Sequence, residues 1–215
     1  MKTLLKTVQT VKCILWRAGT SCRLIAACLL SLVMISAAVA PVFASDATVP
    51  SYGKGPRELI VFTDYWCPPC MMIEANLEPA IMKVLAQGDI KITFVDMPFH
   101  TLTPLYAKYF LFATRGAGGY KNAMHARKVL FGLSKQNLAK TESDIENAFK
   151  AQGVAFKHFD VKPVFAEWEK IFNQYKIKST PTCILINSAT SIRTYKGTVE
   201  IRNNLIPELE ARTAR

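Results

Sequence analysis

The chain has 215 residues, of which 50% are hydrophobic and 20% are charged, a balance that excludes a disordered polymer and suits a globular domain or a chain with a membrane segment. Its 10 glycines and 11 prolines exclude a collagen-like or low-complexity chain, and its 6 cysteines are too few for a small disulfide-built scaffold. The formal net charge of +11 would suit a nucleic-acid partner only if the positive residues cluster on the folded domain.

The first 44 residues carry much of this positive charge. They contain five Lys or Arg residues and no acid, and they end in the uncharged run 24–44. A basic start, an apolar middle and small residues at the end are typical of a secretory signal peptide, with cleavage expected before Ser45. The alternative is a retained N-terminal membrane anchor, although residues 24–40 have only the minimum length for crossing a bilayer. Both interpretations predict that the rest of the chain is exported.

Removing this leader changes what the composition implies. The net charge falls to +6, and the remaining Lys and Arg residues are scattered, with no run interleaved with aromatic residues. The sequence therefore predicts no nucleic-acid partner. Three of the six cysteines are also removed, which leaves Cys67, Cys70 and Cys183.

The exported part starts with residues 45–57, which are polar and rich in turn-forming residues, so that a flexible lead-in is expected. The β-branched apolar runs 58–63 and 91–96 predict two buried strands. Between them we expect a helix over residues 71–86, with a kink or a break at Pro79 because proline cannot donate a helical hydrogen bond.

Residues 102–175 show no strand pattern and contain four helical segments. These segments are 105–114, 122–131, 142–152 (capped by Thr141) and 163–175. Two strands, 182–187 and 192–196, and a terminal helix over 200–211 follow. The order predicts one α/β domain over residues 58–212, with a helical insertion at about 102–175.

The motif that carries chemistry is Cys67-Pro68-Pro69-Cys70, which follows the first strand and opens the first helix. Two cysteines with this spacing and context are typical of a redox dithiol, since their sulfur atoms can approach bonding distance with little backbone movement. The helix start favours a thiolate on Cys67, whereas Cys70 lies one turn inside and is shielded. A structural disulfide and half of a zinc site are the alternatives. The first would constrain little of the unfolded chain, and the second lacks another CxxC.

A second feature is the Thr180-Pro181 pair directly before a predicted strand, where proline removes a donor from the sheet. A strand, WCxxC at a helix start and a Thr-Pro before a later strand together resemble the thioredoxin fold. The segment 64–70 (DYWCPPC) and the helical insertion resemble the DsbA-like branch of the thiol:disulfide oxidoreductases. The fold class implied is an α/β thioredoxin fold with an inserted helical subdomain.

This resemblance implies a role for each matching position. Cys67 would be the nucleophile and Cys70 the resolving thiol, and together they would form the redox-active disulfide. Pro181 would be a cis-proline against the dithiol, and the backbone of Thr180 would pair with a bound substrate strand. Trp66 would belong to an apolar platform beside the site.

Two departures from DsbA affect the expected redox behaviour. DsbA carries His where this chain has Pro69, and Pro68 with Pro69 removes two N–H donors from the helix start. We therefore expect a pKa for Cys67 below that of a free thiol but above that of DsbA, and a weaker oxidant. Thr180 replaces the Val of DsbA and resembles isomerase and reductase relatives instead.

Four further residues bear on the site. His125 lies in a segment similar to a helix of the branch and is given no role, and Cys183 is expected to be an inert buried thiol in a strand. Thioredoxin has a buried Asp six residues before its first cysteine, but this chain has Val61 there. Asp64 is a nearer carboxylate, whose direction the sequence does not define.

The function expected is an exported, periplasmic or extracytoplasmic, thiol:disulfide oxidoreductase that uses no organic cofactor and no metal. Its partners would be cysteine-containing substrate proteins and a membrane redox partner resembling DsbB or DsbD, and the chain is expected to be a monomer. The alternatives are a reductase of the same fold for cytochrome maturation or isomerisation, and a CxxC carrier of a soft metal such as copper.

Overall fold

The computed structural model describes residues 49–211, so the expected signal peptide or anchor at residues 1–44 lies outside the described residues. A five-stranded sheet with the order β1-β3-β2-β4-β5 forms the centre of the domain. The strands are β1 (Ser51–Tyr52), β2 (Arg57–Thr63), β3 (Ile90–Asp96), β4 (Thr182–Ser188) and β5 (Ser191–Lys196). Strand β2 is parallel to β3 and antiparallel to β4. The strand that leads into the CxxC motif therefore lies beside the strand that follows Thr180-Pro181.

Helix α1 (Pro68–Gln87) connects β2 to β3, and a block of four helices connects β3 to β4. The four are α2 (Thr103–Thr114), α3 (Gly119–Gln136), α4 (Glu142–Gln152) and α5 (Lys162–Gln174). After β5 come α6 (Gly197–Glu200), a π-helical turn (Ile201–Leu205) and α7 (Ile206–Ala211). This arrangement confirms the predicted fold class, a sheet core with an inserted helical block. None of the helices within residues 49–211 has the length and apolar character needed to cross a membrane.

Helix α1 begins at Pro68, directly after Cys67, as the motif predicted. It differs from its prediction at Pro79, where it runs without a break to a left-handed Gly88 at φ 75°. The expected break is therefore wrong. The side chains around the proline, including Leu77, Ala80 and Ile81, are buried. Their burial compensates for the hydrogen bond that Pro79 cannot donate.

The segment before β2 is also more ordered than predicted. Residues 51–52 pair antiparallel with β3, and the Ser51 hydroxyl lies 2.9 Å from the Thr93 hydroxyl. The Tyr52 ring packs against Phe94, with centroids 6.3 Å apart. The expectation of a flexible lead-in up to residue 57 is therefore corrected for these residues, whose pairing partners lie about 40 positions away in the chain.

The helical block packs directly on the sheet. The ring of Phe94 in β3 meets Phe110 of α2 edge to face, with centroids 5.8 Å apart, and both are fully buried. The core thus continues from the sheet into the insertion, so that residues of α2 and α3 can reach the region beneath the CxxC motif.

Candidate active site

The turn between β2 and α1 places the first cysteine at the helix start. The Asp64 carbonyl oxygen accepts a hydrogen bond from the Cys67 N–H at 3.2 Å, and the Asp64 carboxylate accepts one from the Trp66 N–H at 2.8 Å. Cys67 has extended backbone angles, φ −82° and ψ 116°, and is the N-cap residue of α1. Its sulfur therefore lies where the helix dipole favours negative charge.

The two motif cysteines are free thiols of unequal accessibility. Cys67 is 6% exposed, whereas Cys70, one turn into α1, is completely buried. The Cys67 sulfur lies 3.4 Å from the Thr180 carbonyl oxygen, to which the protonated thiol donates a hydrogen bond. The Thr180–Pro181 peptide bond is cis, as the resemblance implies. The structure thus brings Cys67, Cys70, Thr180 and Pro181 together from segments more than 100 residues apart in the chain.

The surroundings separate the acidities of the two thiols. The pKa of Cys67 is lowered to about 6, chiefly by a hydrogen bond from the Cys70 thiol and further by the Thr180 side chain and the Cys70 N–H. Burial and the negative charge of Asp64 act in the opposite direction. The pKa of Cys70 is raised far above its ordinary value, first by burial and then by its hydrogen bond to Cys67. Near neutral pH the site therefore holds a thiolate on Cys67 and a thiol on Cys70, the asymmetry predicted from their positions in the helix.

The Asp64 carboxylate points into the protein and is held by the first side chain of α2 and by a side chain from the segment before it. One oxygen accepts from the Thr103 hydroxyl at 2.5 Å, and the other lies 2.8 Å from Nδ1 of His100. Asp64 and Thr103 are completely buried, whereas the His100 side chain is 46% exposed. Sequence reasoning did not identify His100 or Thr103, because no local pattern connects them to a residue nearly 40 positions away.

A buried ionic cluster lies beneath the dithiol. Glu74 follows Cys70 by one helical turn and pairs with Arg127 of α3 through two hydrogen bonds, of 3.2 Å and 3.1 Å. A third nitrogen of Arg127 lies 3.7 Å from the Asp96 carboxylate at the end of β3. Burial raises the pKa of Asp96 to about 7, although the charge of Arg127 opposes this effect. The four-residue spacing from Cys70 to Glu74 was the one sequence signal for this cluster, since residues four apart share a helix face.

The remaining predicted residues lie around the site or away from it. Trp66 is partly buried, and its ring meets Tyr106 edge to face at 5.5 Å, next to the dithiol in the chain. His125 makes a 2.8 Å contact from its ring nitrogen to the Gln152 carbonyl oxygen, which links α3 to α4. Cys183 is completely buried in β4, and burial raises the pKa of its thiol, as expected for an unreactive cysteine.

Metal binding is the alternative chemistry that the two thiols allow. Within residues 49–211, no group of three or more His, Cys, Asp or Glu side chains is arranged to hold a metal ion.

Several solved structures share this fold. A periplasmic thioredoxin-like protein from Salmonella enterica serovar Typhimurium is 19% identical, with a TM-score of 0.57, and the match covers 80% of this chain and 94% of that chain. A single-residue variant of alpha-DsbA1 from Wolbachia pipientis is 14% identical, with a TM-score of 0.59 and coverage of 78% and 93%. The catalytic domain of Proteus mirabilis ScsC is 18% identical, with a TM-score of 0.55 and coverage of 80% and 93%. These likenesses establish a common fold.

Comparison at the level of sequence gives the family. No curated protein matches the chain. A sequence model described as thioredoxin matches residues 52–199, a range that contains the CxxC motif and the Thr180–Pro181 bond. The chain therefore belongs to the thioredoxin family, with a fold shared by DsbA-like proteins.

Proposed function

We propose that this protein is an exported thiol:disulfide oxidoreductase that exchanges disulfides with substrate proteins through Cys67 and Cys70. The observation that carries the proposal is the arrangement of the dithiol. A stabilised thiolate at a helix start lies beside a buried thiol and against the cis Thr180–Pro181 loop. A cysteine whose pKa is lowered in this way is a nucleophile at neutral pH, whereas buried structural cysteines are inert.

The proposed reaction has two steps, each an exchange of sulfur partners. The Cys67 thiolate attacks one sulfur of a substrate disulfide, a mixed disulfide forms, and the other substrate sulfur leaves as a thiolate. Cys70 then loses its proton and attacks the Cys67 sulfur, which forms the Cys67–Cys70 disulfide and releases the second substrate thiolate. The substrate gains two electrons and the protein loses two. The reverse sequence oxidises a substrate dithiol.

The proposal includes binding of an extended substrate segment beside the dithiol. In this proposal the backbone of Thr180 pairs with the segment, Pro181 presents it to Cys67, and Trp66 contributes apolar contact area. No organic cofactor is required, since the dithiol is the redox group. A membrane partner resembling DsbB or DsbD would return the dithiol to its starting state.

The proposed location is periplasmic or otherwise extracytoplasmic. The signal-like composition of residues 1–44 supports export, and the fold is shared with a Salmonella protein described as periplasmic. Cleavage before Ser45 would release the protein, and retention of the segment would anchor it.

Substitution of the nucleophile tests the proposed function. Cys67→Ser should abolish reduction of insulin disulfides by the full domain in the presence of dithiothreitol. Cys183→Ala is the matched control, because it removes a buried thiol that lies outside the proposed reaction, and it should retain activity. Insulin reduction by the Cys67→Ser variant at the wild-type rate would contradict the proposal.

A reductase or isomerase role is the second candidate, and Thr180 together with the pKa of Cys67 favours it. Cysteines of this kind range from a pKa of about 3.5 in DsbA to about 7 in thioredoxin, and Cys67 at about 6 lies toward the upper end. A less stabilised thiolate favours the disulfide form and makes the protein a weaker oxidant. The equilibrium of the Cys67–Cys70 pair with glutathione would distinguish the roles, and one stoichiometric metal ion in the purified reduced protein would favour a carrier instead.

A further inference from the structure

The buried carboxylate of Asp64 lies three residues before the nucleophile and opposes its ionisation. Its negative charge raises the pKa of Cys67 against the hydrogen bonds that lower it. Three groups hold the carboxylate: the Trp66 N–H at 2.8 Å, the Thr103 hydroxyl at 2.5 Å and Nδ1 of His100 at 2.8 Å. Whatever offsets the charge of Asp64 therefore makes the Cys67 thiolate easier to form.

His100 differs from the other two groups in its chemistry and its accessibility. A backbone N–H and a hydroxyl are neutral donors, whereas an imidazole can be neutral or cationic. The His100 side chain is 46% exposed, whereas Asp64 and Thr103 are completely buried. His100 thus places a solvent-accessible imidazole against a buried negative charge beside the dithiol. In its cationic form it pairs with Asp64 and offsets that charge, whereas in its neutral form it donates only a hydrogen bond.

We propose that His100 is a positioning residue for the dithiol, and that its charge, acting through Asp64, determines how readily the Cys67 thiol ionises. This proposal rests on the proposed function and identifies a residue that regulates the same site. A cationic His100 favours the thiolate, and a neutral His100 disfavours it.

Other charged groups near Asp64 determine how the proposal must be tested. Asp96 interacts with Asp64 through their negative charges, and Arg127 lies 3.7 Å from Asp96. Because the pKa of Asp96 is about 7, it titrates close to Cys67, and a pH profile of the wild type would mix the two groups. Fixed charges at position 100 avoid this problem.

The experiment compares His100→Lys with His100→Gln in the reduced full chain. The first variant places a permanent cation beside Asp64, and the second places a neutral donor there. The ionisation of Cys67 is followed by its rate of alkylation as a function of pH, and mass spectrometry distinguishes Cys67 from the other cysteines of the full chain, including the three in residues 1–44. We expect the pKa of Cys67 to be lower in His100→Lys than in His100→Gln by about 0.5 to 1 unit, which is roughly a three- to tenfold difference in the ionisation constant. Because the His100 side chain is half exposed, both variants should fold.

Two controls make the outcome specific. His125→Lys and His125→Gln apply the same charge change at a histidine that contacts the Gln152 carbonyl oxygen instead of Asp64. The pKa of Cys67 should be the same in these two variants. In an Asp64→Asn background, the difference between Lys and Gln at position 100 should shrink. An equal pKa of Cys67 in His100→Lys and His100→Gln would overturn the proposal. A difference that keeps its full size without the Asp64 charge would also overturn it, because the cation would then act directly on the thiol.

The proposed function can fail independently of this inference. If the His100 variants reduce insulin and Cys67→Ser does not, the proposed oxidoreductase function is supported, independently of the pKa of Cys67 in the His100 variants. If the wild-type protein reduces no disulfide, the proposed function fails, whereas the titrations still report on the coupling between His100 and Cys67.

Discussion

Replacing Cys70 by alanine or by serine should change the acidity of Cys67 by different amounts. The hydrogen bond from the Cys70 thiol is the largest influence that lowers the pKa of Cys67 from its ordinary value of 9.0 to about 6. Cys70→Ala removes this donor and leaves the Thr180 side chain and the backbone N–H of residue 70. Cys70→Ser places an O–H donor at the same position. Since the lost donor is the largest of three, we expect the pKa of Cys67 to rise by about one to two units in the alanine variant and to stay near the wild-type value in the serine variant.

The rate of alkylation by iodoacetamide as a function of pH measures this difference. Mass spectrometry of the alkylated peptides separates Cys67 from the three cysteines in residues 1–44, and Cys183 is completely buried. The midpoint of the Cys67 profile then reports the pKa of Cys67, because only the thiolate reacts. Both variants lack the second thiol of the motif, so oxidation to the internal disulfide cannot distort the comparison. If Cys70→Ala has the same midpoint as Cys70→Ser, or a lower one, the hydrogen bond from Cys70 does not stabilise the thiolate.

The ionic cluster beneath the dithiol yields two further predictions. Arg127→Met should lower the free energy of urea unfolding at pH 7 by about 3–5 kcal/mol, because it leaves Glu74 buried and unpaired. Adding Glu74→Met should recover part of this loss. Equal stability of Arg127→Met and wild type would contradict the prediction. The second prediction concerns Asp96, whose carboxyl group holds its proton more tightly in the folded protein than in the unfolded one. The stability that this proton contributes is therefore lost as the pH rises from 3.8 to about 7. The free energy of unfolding of Asp96→Asn, taken relative to that of wild type, should therefore increase by about 2–3 kcal/mol as the pH rises from 5 to 8. A stability difference that does not change with pH would refute this.

The elements that sequence reasoning placed well are those with local signals. The cap of α4 is one example, since the Thr141 hydroxyl accepts from the Asp144 N–H at 3.2 Å and the Asp144 carboxylate accepts from the Thr141 N–H at 2.9 Å. Gly153 ends the same helix with φ 69°. The two failures have causes elsewhere in the fold. The pairing of residues 51–52 depends on β3, and the continuity of α1 through Pro79 depends on the core that its neighbours enter.

The residues of the candidate site also divide into those with a local sequence signal and those that only the tertiary fold brings to the site. The CxxC spacing and the Thr-Pro pair are visible in the sequence because each is a short motif at the boundary of an element. Two ionisable groups near the site come from other parts of the fold: His100 lies before α2, and Arg127 lies in the middle of α3. A single charged residue in an amphipathic helix gives no indication of whether it is solvated or buried. Only the tertiary packing of the insertion on the sheet places Arg127 against Glu74.

The acidities of the two motif cysteines also explain how the second step of the proposed reaction can follow the first. Besides burial, the pKa of Cys70 is held high by its hydrogen bond to Cys67 and by the negative charge of the Cys67 thiolate. Both of these influences disappear when Cys67 enters a mixed disulfide, because its sulfur then carries no charge and accepts hydrogen bonds weakly. Cys70 is therefore least able to ionise while the site waits for substrate, and its pKa falls once a substrate is attached. The interaction that stabilises the nucleophile in the free protein thus also suppresses ionisation of the resolving thiol until it is needed.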